Sequence, residues 1–154
     1  MEPRLEYWTV APEGARAMLG LETYVRQCGL EHPLLELIKI RASQINGCAY
    51  CLDMHTKDAR AAGESEQRIY ALDAWRETPF YSERERAALA WTESVTLVGG
   101  DHVPDPLFAE VKAQFTDAEI VNLTLAIITI NGWNRLAVAM RSVPGSYQLP
   151  VRNP

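Results

Sequence analysis

Cys48 and Cys51 stand three residues apart in the stretch QINGCAYCLDMH, and His55 follows the second cysteine by four. Those residue types at that spacing can do thiol chemistry. On a helix, positions i and i+3 share a face and come within disulfide reach, and His55 falls on the same stripe one turn later. An imidazole there can take a thiol proton or stabilise the thiolate. Gly47, just ahead, puts the pair at a helix start, where unpaired N–H groups and the positive dipole end favour thiolate over thiol.

Two arguments compete over which sulfur attacks. Position favours Cys48, which is nearer the helix start. Register favours Cys51, because His55 at i+4 reaches it and not Cys48. Rival uses of the cluster fare worse. A zinc site could draw on Cys48, Cys51, His55 and His32, but structural zinc normally needs a second CxxC or HxxxH pair, and the chain has none. A thioredoxin-like fold needs a strand before the motif, whereas the preceding segment reads as helix. Neither a metal nor a bound cofactor is expected, the redox-active centre being the Cys48–Cys51 pair itself.

The elements that must position these residues read as helices. Pro12 opens a segment that Gly29 closes, and Cys28 near its end reads as a small buried hydrophobe. Pro33 suits the start of PLLELIKIRASQI, with Leu34, Leu37, Ile38 and Arg41 at helical spacing, interrupted at Asn46-Gly47. CAYCLDMHTKDARAAG carries the motif and ends at Gly63, with Asp53 and Asp58 on a solvated face. Ser65 caps a short helix through Leu72. Capping boxes at Ser82–Glu85 and Thr116–Glu119 open two more, the first ending at Gly99-Gly100 and separated from the second by a connector, HVPDPLF. His102 reads as a loop histidine. No period-two run or hairpin signal appears, so the fold is expected to be all-α, one domain over 1–154 with its redox core at about 33–98.

Composition narrows the function classes. With 47% hydrophobic and 23% charged residues and a net charge of −5, the chain suits a globular protein. It lacks the Lys/Arg run that a nucleic acid or an anionic membrane requires. Three cysteines are too few for a secreted disulfide scaffold, and MEPRLEYWTV lacks the charged flank and apolar stretch of a signal peptide, so a cytoplasmic location is expected. The stretch from Ile120 to Met140 is apolar nearly all round but interrupted by Asn122, Asn131, Asn134 and Arg135. It reads as too broken to cross a bilayer and as buried on several sides, including a subunit interface. Trp91 and Trp133 read as core, with the option of walling a channel to the thiols.

The stretch ELIKIRASQINGCAYCLDMHTKDARAAG, Glu36 to Gly63, resembles the core of the alkyl hydroperoxidase D family, within the carboxymuconolactone decarboxylase-like superfamily. That family carries Glu, then CxxC twelve residues on, then His four after the second cysteine. Glu36, Cys48, Cys51 and His55 match. The likeness is dense from Pro33 to Val98, and INGWNR at Ile130–Arg135 resembles the tail of short members. One departure is Tyr50, which stands where members place a second histidine and which titrates near ~10, too high to shuttle protons at neutrality.

The resemblance implies an oligomeric AhpD-like helical bundle, a trimer or a hexamer, that reduces hydroperoxides with electrons from a thiol or dithiol reductant. It implies that Cys51 is the attacking thiol, Cys48 the resolving one, and Glu36 the acceptor of a proton passed through His55. The superfamily's name-giving decarboxylases lack the cysteine pair. A lyase acting on a small lactone, with His55 and Glu36 as acid and base, is therefore the alternative reading.

Overall fold

The computed structural model describes residues 2–149, and every regular element among them is helical. In chain order these are α1 (Tyr7–Val10), α2 (Pro12–Gln27), α3 (His32–Asn46), α4 (Ala49–Ala61), α5 (Glu66–Ala71), a 3-10 turn (Leu72–Glu77), α6 (Glu83–Thr96), α7 (Val98–Asp101), α8 (Asp105–Lys112) and α9 (Asp117–Met140). The starts follow local chemistry. Ser65, Ser82 and Thr116 each accept from the backbone N–H three residues on, the last two as full capping boxes.

The prolines and glycines between α6 and α9 behave differently from expectation. HVPDPLF is not a connector: Pro104 stays extended while Asp105 and Pro106 enter the first turn of α8, where a missing N–H costs nothing. Gly99 and Gly100 do not end α6, which stops at Thr96; they lie in the short turn α7.

α3 is the centre of the bundle. It packs against α4, α6 and α9, and its residues Leu34 through Ile40 are all buried, charged ones included. Leu34, Leu35 and Ile38 join a core with Val25 of α2, Trp91 of α6 and Leu123 and Ile127 of α9, while Leu37 and Ile40 meet Ala59, Leu72 and Leu89 on the other side. Each such side chain stabilises the fold by roughly 1.5–3 kcal/mol. Arg41, on the expected apolar stripe, instead donates to Glu93 of α6 at 2.8 Å.

α9 buries one side only. Ile120, Leu123, Ala126, Ile127, Ile130 and Ala137 face the core, whereas Val121, Ile128 and Val138 are exposed. By length and composition alone its 24 residues could cross a membrane, contrary to the sequence reading. Its apolar content has another physical source in this fold: the helix packs on α2, α3 and α6. Its polar residues are also used. Asn134 accepts from Asn46 at 2.8 Å and donates to Ser43 at 3.0 Å, and Asn131 accepts from Asn46 at 2.9 Å. This amide cluster pins the end of α3, two residues before the cysteine motif.

Asn134→Ala should take from the buried Ser43 hydroxyl its amide donor and from Asn46 one of its two acceptors, and cost about 1–3 kcal/mol. Urea unfolding followed by circular dichroism checks this. A midpoint that does not move, at unchanged slope, would mean the amide cluster does not hold α3 to α9.

Candidate active site

The thiol pair sits at a turn built in two residues. Gly47 adopts the left-handed conformation (φ 65°), its N–H bonding Gln44 O and that of Cys48 bonding Ser43 O, so α3 ends in a Schellman turn. Cys48 is then the N-cap of α4, and its Sγ accepts from the Cys51 N–H at 3.3 Å. The two cysteines are disulfide-bonded with Cα atoms 5.3 Å apart. Gly47 therefore serves as a left-handed hinge, and the cap itself is a sulfur.

The two sulfurs have unequal surroundings. Both share a buried cluster with Ala137, against which Tyr50 packs, but Cys48 does not line the cavity. Cys51, also buried, lies on the wall of a cavity of about 170 Å³ lined by Tyr7, Trp8, Tyr50, Met54, His55 and Trp133 among others. His55 is on that wall too, one turn beyond Cys51. Its Nδ1 meets Glu36 Oε2 at 2.8 Å, and both side chains are 3% exposed. The imidazole thus spans from the cavity to a buried carboxylate on α3. The other carboxylate oxygen of Glu36 lies 3.9 Å from His32 Nε2, and His32 reaches the surface. Of the four expected residues, three run inward from the cavity wall, Cys51, His55 and the buried Glu36, and Cys48 is bonded to the first.

Burial pushes the Glu36 carboxyl up, but the hydrogen bond and charge of His55, with the charges of Lys39 and His32, outweigh it and hold the carboxyl below its ordinary value. Lys39, one turn along α3, is 1% exposed, and its ammonium donates to Glu22 of α2 at 2.6 Å. Glu22, which Arg26 also contacts, is in turn held low: burial raises it and Lys39 and Arg26 lower it further. Sequence reasoning missed Glu22, Arg26 and Lys39. The available signal was two charges one turn apart inside the apolar run LLELIKI.

Other expectations divide. Trp133 walls the cavity, as one option held, while Trp91 is core and donates to Thr124 at 2.9 Å. Tyr50 lines the cavity; burial, with Tyr7, Asp53 and Glu6 nearby, pushes its hydroxyl up, so it stays protonated. Asp53 and Asp58 are not simply solvated: Asp53 accepts from Gly145 N–H at 2.9 Å and Asp58 from the Tyr147 hydroxyl at 2.6 Å, tying the C-terminal segment over α4. The four-residue zinc set is not gathered, since the sulfurs are bonded to each other and both histidines turn to Glu36. Donor atoms of Glu36, His55 and Asp58 lie within 4.8 Å of one another, but Glu36 is engaged with His55 and Asp58 with Tyr147.

Comparison with known proteins agrees with this architecture. The family model of the carboxymuconolactone decarboxylase family matches residues 12–94. The uncharacterized protein YdfG of Bacillus subtilis is 49% identical over 140 residues, 91% of this chain and 95% of its own. A crystal structure from Agrobacterium tumefaciens, described as a candidate antioxidant defence protein AhpD, is 47% identical with a TM-score of 0.92, covering 95% of this chain and all of that one. A cysteine-to-alanine variant of the debrominase Bmp8, solved with 2,3,4-tribromopyrrole, shares the fold at 22% identity, with a TM-score of 0.80 over 90% of this chain and 74% of its own. The chain belongs to the carboxymuconolactone decarboxylase family, as an AhpD-like member.

The Glu36–His55 pair fixes a pH dependence. Because the folded value of Glu36 lies below its unfolded value near ~4.3, the pair's contribution is complete above that value and is lost as pH falls through the folded one. The stability gap between the parent and Glu36→Gln should therefore be flat near about pH 6 and narrow as pH falls from about 5 to about 3. Denaturant melts across that range test it, and a gap that stays constant would sink the idea.

Proposed function

We propose that the chain is a thiol-dependent peroxidase, reducing organic hydroperoxides through a Cys48–Cys51 dithiol/disulfide cycle. The observation that carries this reading is the junction of Cys51 and His55 on one cavity wall, with His55 backed by the buried Glu36 carboxylate at 2.8 Å. AhpD-type relatives support it at the level of the family.

In the reduced form His55 takes the Cys51 proton, its imidazolium being stabilised by Glu36. The Cys51 thiolate attacks the outer oxygen of the hydroperoxide. The O–O bond breaks, Cys51 becomes a sulfenic acid, and the alkoxide leaves with the proton that His55 held, as the alcohol. The Cys48 thiol then attacks the Cys51 sulfur, expelling water as the disulfide forms. Two further thiols from an external reductant restore the pair by exchange. The accessible sulfur is the attacker, in keeping with the register argument. His32, exposed on the surface, stands 3.9 Å from the other Glu36 oxygen, so a water between them would give the relay a way out to solvent.

The same two-electron chemistry suits a second reading, reductive dehalogenation, favoured by the ring-lined cavity over Cys51 and by the shared fold of the debrominase Bmp8. There the dithiol would be oxidised to the disulfide as an aryl carbon–halogen bond becomes carbon–hydrogen and halide leaves. Bromide release from tribromopyrrole with a thiol reductant, in place of peroxide turnover, would favour it. Lactone decarboxylation needs no thiol, so retained lactone turnover after both Cys48 and Cys51 are replaced by Ser would favour the lyase.

The assembly belongs to the proposal as well. Val121 and Ile128 share an exposed apolar face on α9, with Val138 exposed near the helix end, and a homo-oligomer of three or six copies would cover them. Light scattering at micromolar concentration should give a multiple of three; a monomer refutes the assembly.

Thiol roles are separable by mass spectrometry after one equivalent of peroxide. Cys51→Ser should leave peroxide unreduced, while Cys48→Ser should accumulate oxygen adducts on Cys51, as sulfenic then sulfinic acid. Adducts on Cys48 in the Cys51→Ser protein, with none in the reverse case, would exchange the two roles.

A further inference from the structure

The chain has 13 aromatic residues, and four of them, Tyr7, Trp8, Tyr50 and Trp133, line the cavity that reaches Cys51. Three of these rings form a wall. Tyr7 and Trp8 lie 5.6 Å apart, Trp8 and Trp133 stack at 5.9 Å, and Tyr7 and Trp133 lie 6.4 Å apart, all within the range of favourable ring packing. The wall is anchored: Arg4 bonds the end of α9 through its N–H to Met140 O at 2.8 Å and through its guanidinium to Ala139 O at 3.0 Å. Yet Trp8 remains 44% exposed, an unusual cost for a large ring unless something else covers it.

The volume says what fits. An apolar cavity of about 150 Å³ holds one benzene ring, and this one measures about 170 Å³. Met54, Leu19 and Ala137 complete the apolar lining. The polar atoms converge at the thiol end and at Glu22 and Arg26, whose charges are already paired with each other and with Lys39. Water or hydrogen peroxide would gain little from such walls, and a long chain would exceed them.

We infer that the slot is built for a single aromatic ring, the organic part of a hydroperoxide whose peroxy group sits one or two atoms from the ring. This rests on the peroxidase reading and adds the substrate class to it. The ring lies among Tyr7, Trp8 and Trp133, which leaves the peroxy group beside Cys51 and His55. The products are the aryl alcohol and the oxidised pair, as in the cycle above.

The test has two arms. In turnover, kcat/KM for cumene hydroperoxide should exceed that for tert-butyl hydroperoxide by about tenfold, and Trp8→Ala should reduce that preference several-fold, with Trp8→Phe restoring most of it. Equal rates for the two hydroperoxides, or a preference that Trp8→Ala leaves unchanged, overturn the inference. In binding, titration calorimetry of the disulfide form with the unreactive 2-phenyl-2-propanol should show at least about tenfold tighter binding than with tert-butanol, weakened by Trp8→Ala. Equal affinities overturn it. Ring-selective binding without any peroxide turnover would retire the peroxidase reading while leaving the slot's ring selectivity standing.

Discussion

A carboxylate and an ammonium one turn apart on a central helix cannot be buried alone. Glu36 and Lys39 stand on α3, each almost without exposure. An unpaired ion in such surroundings would neutralise or unfold its helix. The partners come from two other helices, His55 from α4 and Glu22 from α2. Neither neighbour can slide by a residue without stranding a charge, so the ion pairs set the register of α2 and α4 on α3 while the apolar core supplies the bulk of the stability. The placement of the thiols on α4 follows from the same constraint, since moving His55 would move Cys51.

The site is asymmetric because the turn is. A two-residue junction through Gly47 drops Cys48 into the cap, where its sulfur meets a backbone N–H and packs on Ala137, and delivers Cys51 one turn later to the cavity. Helix dipole and histidine register, which pull toward different sulfurs in the sequence, are thereby divided between two tasks. The capped sulfur is held ready behind the accessible one.

Much of this was legible in the sequence, for local reasons. Caps, glycine stops and apolar periodicity act within a few residues, so Ser82, Thr116, Gly29 and Gly47 announced their helix ends. α8 was hidden because two prolines look like a connector, although both fit a helix start. Glu36 reads as an ordinary surface carboxylate until its spacing to the cysteines is compared with the family's. Lys39 stood out only as a charge inside an apolar run, and its partner Glu22 could not be read, because the pair joins residues 17 apart in sequence on two different helices. Tyr7 and Trp8 were invisible as a cavity wall for the same reason: nothing local in an N-terminal YW pair tells which distant helix it will meet.

The helix that carries the thiols also carries the anchors of the C-terminal segment. Asp53 and Lys57 hold Gly145 and the Tyr147 carbonyl, and Asp58 accepts from the Tyr147 hydroxyl while standing one turn from His55, its carboxylate within 4.8 Å of the imidazole. Thirteen residues thus spell two messages on interleaved faces, one chemical and one architectural. Such a stretch has almost no synonymous spellings. A saturation library across Cys48 to Asp58 would contain few silent positions, and an affinity tag fused behind Tyr147 would pull directly on the reactive helix.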